Sequence, residues 1–388
     1  MPNAVIVDAI RTPGGKRGGQ LSNWHAVDLA SETLKAIAER NNLDPVLVDD
    51  VITGCVMQVS EQSLNVGRSA VLAAGWPESV PATTIDRQCG SSQQAMHFAA
   101  QGVMAGVYDI VVAHGVEAMT RTPMGTSVVR EKGFPFGPRV MTRYKLASQG
   151  DGAEMIAEQW GLSREDLDAF SAESHRRAAR ATAEGRFDAE IIPVEIRDEN
   201  GQGTGEMMTR DEGIRPDSSV ESLGRLKPAF REDGKITAGN SSQITDGSAA
   251  VLIMSEEKAK ELGLTPRARF HAFSLAGVDP VTMLTGPIPA TQKLLAKTGM
   301  SIDDIDLIEI NEAFAPVVLA WQKETGADLS KVNVNGGAIA LGHPLGASGA
   351  KLTATLLNEL ERTGGRYGLL TMCEGGGLAN GTIIERLG

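Results

Sequence analysis

Aromatic residues are scarce in this chain: Phe, Trp and Tyr make up 4% of 388 residues. Its core must therefore be built from Ala, Val, Ile and Leu. Cysteine is rarer still, at three residues. Three cysteines do not make a disulfide framework, and reduced thiols point to the cytoplasm. Positive charge is in deficit: 37 Lys and Arg against 49 Asp and Glu leave a formal net charge of −12. That balance argues against non-specific nucleic-acid binding, which relies on basic surface. An anionic ligand would need a local basic patch or helix N-termini. No uninterrupted apolar run is long enough to span a bilayer. The first residues lead straight into a strand-like run, and the last four, Glu-Arg-Leu-Gly, are no peroxisomal signal. Neither kind of targeting segment is therefore expected.

Glycine, by contrast, is abundant, at 44 residues, which fits an α/β architecture with many tight connections. Strand signals over 4–8, 51–56, 83–85 and 110–113 alternate with helical periodicity over 25–40, 64–74 and 91–105. That rhythm predicts βαβ units and a mainly parallel sheet. It breaks over about 119–149, an irregular stretch rich in Thr, Pro, Gly, Met and Arg. Helices follow over 153–160 and 163–184, the second opened by a capping box of Ser163 with Asp166 and closed at Gly185. Strands are predicted again over 249–254, 268–275, 305–310, 332–335, 368–373 and 381–385. Helices are predicted over 290–297, 313–323 and 347–361. The two halves read as a diverged duplication, each with strand, glycine turn and long helix, once at Cys89 and once at His343. The division is 1–117 plus 243–264 for one half, 118–242 as an insertion, and 265–388 for the other.

Four short segments carry chemistry. Cys89, in Asp86-Arg-Gln-Cys89-Gly-Ser-Ser92, falls between a strand and a helix. A helix N-terminus lowers a thiol pKa and favours the nucleophilic thiolate, and Gly90 would let backbone approach a substrate carbonyl. The plainer reading is a small buried hydrophobe. His343, in Leu-Gly-His343-Pro-Leu-Gly, can take the Cys89 proton or hydrogen-bond an oxyanion; the alternative is an ordinary turn histidine. Cys373 leads into Glu374-Gly375-Gly-Gly377 and can serve as acid and base at a carbon beside a thioester carbonyl. A Cys89–Cys373 redox switch is the competing reading. Asn311, in Asn311-Glu-Ala-Phe-Ala, can position water or donate to an oxyanion, or simply cap a helix. Cys55 sits in an apolar strand and is expected in the core.

Together these residues resemble the thiolase family, the acetyl-CoA acyltransferases. The resemblance runs along nearly the whole chain: Asp8-Ala-Ile-Arg-Thr-Pro13, Cys89-Gly-Ser-Ser92, Gly115-Val-Glu-Ala-Met119, Leu226-Lys-Pro-Ala-Phe230, Thr237-Ala-Gly-Asn-Ser-Ser242, Asn311-Glu-Ala-Phe-Ala315, Gly336-Gly-Ala-Ile-Ala-Leu-Gly-His343-Pro344 and Cys373-Glu-Gly-Gly-Gly377. It implies an α/β thiolase fold: two similar βαβ-rich halves in five α-β-α-β-α layers, with an inserted loop domain. It implies Cys89 as the acylated nucleophile, activated by His343, and Cys373 as the acid/base at the α-carbon. Asn311 with His343 would form one oxyanion site, and the N–H groups of Cys89 and Gly375 the other. Arg215 and Ser242 match positions that touch coenzyme A, the co-substrate; no tightly bound cofactor and no metal are implied. A homodimer or homotetramer is expected.

Two departures stand out. The family's His-Met-Gly-x-Thr-Ala-Glu segment is here Ser148-Gln149-Gly150-Asp-Gly-Ala-Glu154, near the acyl pocket. Glu374 replaces an apolar residue beside Cys373 and either shifts the thiol pKa or points to solvent. Gln93-Gln94 and Cys373-Glu-Gly-Gly-Gly-Leu-Ala are similar to degradative actinobacterial thiolases, including those acting on steroid side chains. The expected activity is thiolysis of 3-ketoacyl-CoA to acetyl-CoA and a shortened acyl-CoA. The alternatives are an acetyl-CoA acetyltransferase, a ketoacyl synthase-like condensing enzyme, which would pair one cysteine with two histidines or with histidine and asparagine, and a non-catalytic acyl-CoA-binding subunit.

Overall fold

Small and β-branched residues let the first strand be buried on both faces. In Ala4–Arg11 (β1) Val5, Val7 and Ile10 pack into one apolar layer, and Ala4, Ile6 and Ala9 into another. Strands covered by helices on both sides read this way. The computed structural model describes residues 2–388, at position 130 the backbone only. After β1 come β2 (Gly15–Lys16), α1 (Ala26–Arg40), β3 (Asp50–Gly54), α2 (Val66–Ala73), β4 (Ala82–Ile85), α3 (Ser91–Met104) and β5 (Ile110–Ala118). The next 126 residues carry α4 (Pro138–Met141), α5 (Gln149–Gln159), α6 (Arg164–Ala183), the hairpin β6 (Val194–Arg197) and β7 (Gly203–Met208), and α7 (Val220–Gly224). Then follow β8 (Thr245–Ser255), α8 (Glu256–Glu261), β9 (Ala268–Gly277), α9 (Pro287–Thr298), β10 (Leu307–Ile310), α10 (Ala315–Thr325), α11 (Ala338–Leu341), α12 (Ser348–Thr363), β11 (Tyr367–Glu374) and β12 (Leu378–Arg386). The Ser163 capping box forms, with Asp166 Oδ2 accepting from the Ser163 N–H.

The core strands run in the order β4-β3-β5-β8-β1-β9-β12-β11-β10. Read outward from the β1–β9 joint, the two halves repeat one order and one set of strand directions, as a duplication requires. The joint is narrow, pairing only Val5 with Arg269 and Ile6 with Ala268. The sheet is mixed, which corrects the mainly parallel expectation: parallel pairing is confined to β3–β4, β3–β5 and β10–β11. Strand–helix alternation does not show that the last strand of each half returns antiparallel. β12 does so through the tight Gly375–Gly377 turn, and a hairpin can only pair antiparallel.

The strand expected over 332–335 also fails to form. It survives as one parallel bridge from Ile308 to Val332, where β4 lies in the other half. Asn333 turns the chain away at φ 46°. Its side chain bonds both the N–H and the C=O of Ile310, each at 2.9 Å, in place of a neighbouring strand.

Three apolar clusters hold the five structural layers together, the middle one enclosing the central helices. Helices α1 and α2 cover the outer face of the first half, and α9 and α10 that of the second. Helices α3 and α12 fill the middle, between both strand sets. They cross so closely that a side chain at Gly349 would overlap the Gln93 backbone nitrogen. Arg11, fully buried, ties the long insertion to β1 through Glu190 (2.6 Å) and a two-pronged bond to Asp211 (2.7 and 2.9 Å). Among the described residues no helix is long and apolar enough to cross a membrane.

Candidate active site

Cys89 sits on a forced turn between β4 and α3. Gln88 takes φ 49°, and the Gly90 and Ser91 N–H groups bond back to Arg87 and Gln88 carbonyls. The turn leaves Cys89 just ahead of the middle-layer helix α3, with 6% of its surface exposed. Burial pushes its thiol up to about 12, and the Glu374 carboxylate adds to the rise. The N–H groups of Gly375 and Cys89 favour the thiolate but do not offset desolvation. The resting group is a neutral thiol, contrary to the lowered pKa expected from the helix N-terminus. The protein itself requires glycine at position 90: a Cβ there would collide with Glu374 Oε1 and Asn380 Oδ1.

His343 precedes α12 as Cys89 precedes α3. Its Nδ1 lies 2.6 Å from Ser348 Oγ, whose own hydrogen goes to the Pro344 carbonyl at 2.8 Å. Ser348 must therefore accept from Nδ1–H, which leaves a lone pair on Nε2. Asn311 Nδ2, at the end of β10, stands 3.4 Å from that Nε2. Burial lowers His343 to about 3, with Lys351 contributing. The imidazole is thus neutral, with its basic nitrogen held in place. Cys373, next to last in β11 and beside β10, is buried and has its thiol raised well above the usual range by burial, then by Cys89 and Glu374. All three cysteines are free thiols. Cys55 is core, as expected.

Cys89 and His343 line one cavity of about 180 Å³ with Met119, Met124, Gln149, Phe230 and Phe314. Ser241 to Ile244 form its outer wall and also line a groove of about 620 Å³ that carries Lys16, Arg17 and Arg215. Ser242 therefore stands where groove meets cavity. Among the described residues Arg17 and Arg215 have no ion-pair partner, so this acidic chain keeps unpaired positive charge in the groove next to the Cys89 cavity. Gln149, from the segment that departs from the family pattern, places its amide next to Gly375.

Two family models match, the thiolase N-terminal domain over residues 4–257 and the thiolase C-terminal domain over 264–386. The chain is 53% identical to the steroid 3-ketoacyl-CoA thiolase FadA6 of Mycobacterium tuberculosis, over all of this chain and 95% of that one. It is 46% identical to a 3-ketoacyl-CoA thiolase of Aliivibrio fischeri, with both chains fully covered. A solved structure, the Bacillus anthracis acetyl-CoA acetyltransferase, superposes with a TM-score of 0.92 at 42% identity, over 100% of this chain and 99% of the other. The chain belongs to the thiolase family.

Several residues that hold this thiolase's site together carried no role in the sequence. Glu117, fully buried, accepts from the Val56, Met57 and Gly346 N–H groups and from Gln62, pinning the His343 turn to the first half. Glu312 accepts from Ser174, Asn333 and the Ile339 N–H, joining α6 to the glycine-rich run before His343. Ser348 sets the His343 tautomer. Glu117 and Glu312 stand inside Gly115-Val-Glu-Ala-Met119 and Asn311-Glu-Ala-Phe-Ala315; a charge in an apolar run was the available signal. Among the described residues no group of three or more His, Cys, Asp or Glu could hold a metal ion.

Proposed function

We propose that this thiolase cleaves 3-ketoacyl-CoA with free CoA, giving acetyl-CoA and an acyl-CoA shortened by two carbons. The observation that carries the reading is that Cys89 and His343 share one cavity, with Asn311 against the His343 Nε2, and that this cavity shares a wall with a basic groove. The substrate's phosphates lie in the groove near Arg215, and its pantetheine passes Ser242. His343 Nε2 takes the Cys89 proton, and the thiolate attacks the 3-keto carbon. The Asn311 amide and the newly made Nε2–H then face one oxyanion, and the Cys89 and Gly375 N–H groups face the other. The C2–C3 bond breaks, its electron pair passes to C2, and Cys373 protonates that carbon. Free CoA, its thiol proton taken by Cys373, attacks the acyl group on Cys89 and releases it. The neutral Cys89–His343 pair fits a nucleophile charged only when substrate is in place.

The boundaries 1–117 plus 243–264, 118–242 and 265–388 are part of this reading, as is a homodimer or homotetramer. Exposed Phe134, Phe136, Val140 and Met141 in the insertion support association there. The deciding experiment follows CoA-dependent loss of 3-ketoacyl-CoA absorbance with acetoacetyl, medium-chain, long-chain and steroid-side-chain thioesters. Turnover that rises with acyl size is expected. Activity confined to acetoacetyl-CoA would make the protein an acetyl-CoA acetyltransferase, and none at all would leave an acyl-CoA-binding subunit.

A further inference from the structure

Glu374 follows Cys373 at the tip of β11, and its side chain is fully buried. Neither carboxyl oxygen has a hydrogen-bond partner among the described residues. Asn380 Oδ1, on the facing strand β12, is buried and equally unpartnered, while its Nδ2 donates to Gln94. Glu374 Oε1 and Asn380 Oδ1 both press against the place where Gly90 lacks a Cβ, so they are neighbours. Two buried acceptors side by side repel and leave both unsatisfied. One proton on the carboxyl group removes both faults, because the acid O–H then donates to the amide oxygen.

We propose that Glu374 is a positioning residue that holds a proton in the resting enzyme, donates it in a hydrogen bond to Asn380 Oδ1 behind Gly90, and so keeps negative charge away from Cys89 as its thiolate forms. The proposal rests on Cys89 being the nucleophile. The groups facing Glu374 are few. Cys373 and Cys89 are the titratable neighbours, from β11 and from the turn before α3. Asp86 and Arg87 on that turn are the charged ones, and β12 and α3 contribute the neutral Asn380 and Gln94. Burial raises Glu374 to about 8, while the Arg87 charge pulls the other way. The carboxyl is therefore mostly protonated at pH 7 and ionises on the alkaline side. There it opposes the thiolate, and Cys89 and Glu374 titrate as a coupled pair.

The consequence runs against ordinary thiol behaviour. A lone thiol below its pKa gains reactivity tenfold per pH unit. Here the gain is blunted once Glu374 ionises.

The test is the rate of Cys89 alkylation by iodoacetamide from pH 6.5 to 9.5, read on the Cys89 peptide by mass spectrometry. It reports on the thiol whether or not any thioester is turned over, so it stands apart from the assay of thiolysis. In the unsubstituted protein the slope of log rate against pH is expected to fall clearly below one between pH 7.5 and 9. In Glu374→Gln, whose amide can donate to Asn380 as the acid does, the slope is expected to return to one. The ratio of variant to parent rates then climbs to about tenfold by pH 9, the effect of one pKa unit. Glu374→Met, uncharged and of similar volume, must give the same climb. A slope of one in the parent protein, or a ratio independent of pH, would overturn the proposal; the latter is what loss of packing alone would give.

Discussion

At the scale of single residues, burial outweighs local dipoles. Cys89 has a helix N-terminus and two N–H groups directed at it, yet desolvation sets its proton affinity. Cys89→Ala is expected to abolish thiolysis and acylation together. Cys373→Ala should still accept an acyl group from acyl-CoA, seen as a mass increment on Cys89, but lose carbon–carbon cleavage by about 10²–10⁴-fold, the worth of a positioned acid/base. His343 adds a pH prediction. Its folded pKa, about 3, lies below that of an exposed histidine, so the neutral form is favoured by folding. That contribution is present above about pH 6.5 and is lost as pH falls toward 3. The kcat/KM profile should therefore show no acid limb from His343 near pH 6.5, and acid denaturation should steepen well below it. Ser348→Ala frees the tautomer and should lower kcat more than it raises KM.

At the scale of elements, the site depends on contacts between halves that share no local sequence. The α3–α12 crossing brings Cys89 and His343 together, and Gly349 permits it. Gly349→Ala is expected to destabilise the fold by about 1–3 kcal/mol, the usual effect of overpacking, read as a fall in the urea midpoint. Arg11 is the other clamp. Arg11→Met leaves Asp211 and Glu190 buried without their partner, and removing one member of a buried pair typically destabilises by about 3–5 kcal/mol. The elements themselves were largely legible. The Ser163 capping box opens α6 as read, because capping is a local transaction between a side chain and the next turn. Strand direction was not, because pairing is chosen by distant segments. The missing strand at 332–335 shows the limit: Val332, Asn333 and Val334 read as β, but the Asn333 amide bonds Ile310 and ends the run.

At the scale of the whole molecule, charge is divided unevenly. The chain is acidic overall, yet Lys16, Arg17 and Arg215 gather at the groove that leads to Cys89. Arg215→Ala is expected to raise KM for acyl-CoA about five- to tenfold with kcat little changed. It should also flatten the dependence of kcat/KM on salt, since exposed charges act through a screened field. The cavity behind is only about 180 Å³, walled by Met119, Met124 and Phe230. Long acyl groups must displace these flexible side chains, so the substrate profile reads their mobility.

The sequence by itself determined which residues are chemically competent: two glycine-flanked cysteines, a histidine fixed by proline, and an asparagine at a strand end. It also determined that they belong to one family, because many short motifs recur in one order. Tertiary structure alone decided their states. It made Cys89 a neutral thiol, set the His343 lone pair toward Asn311, and turned Glu374 inward behind Gly90. Proton affinity depends on what surrounds a group in space, and those neighbours come from strands and helices far away along the chain.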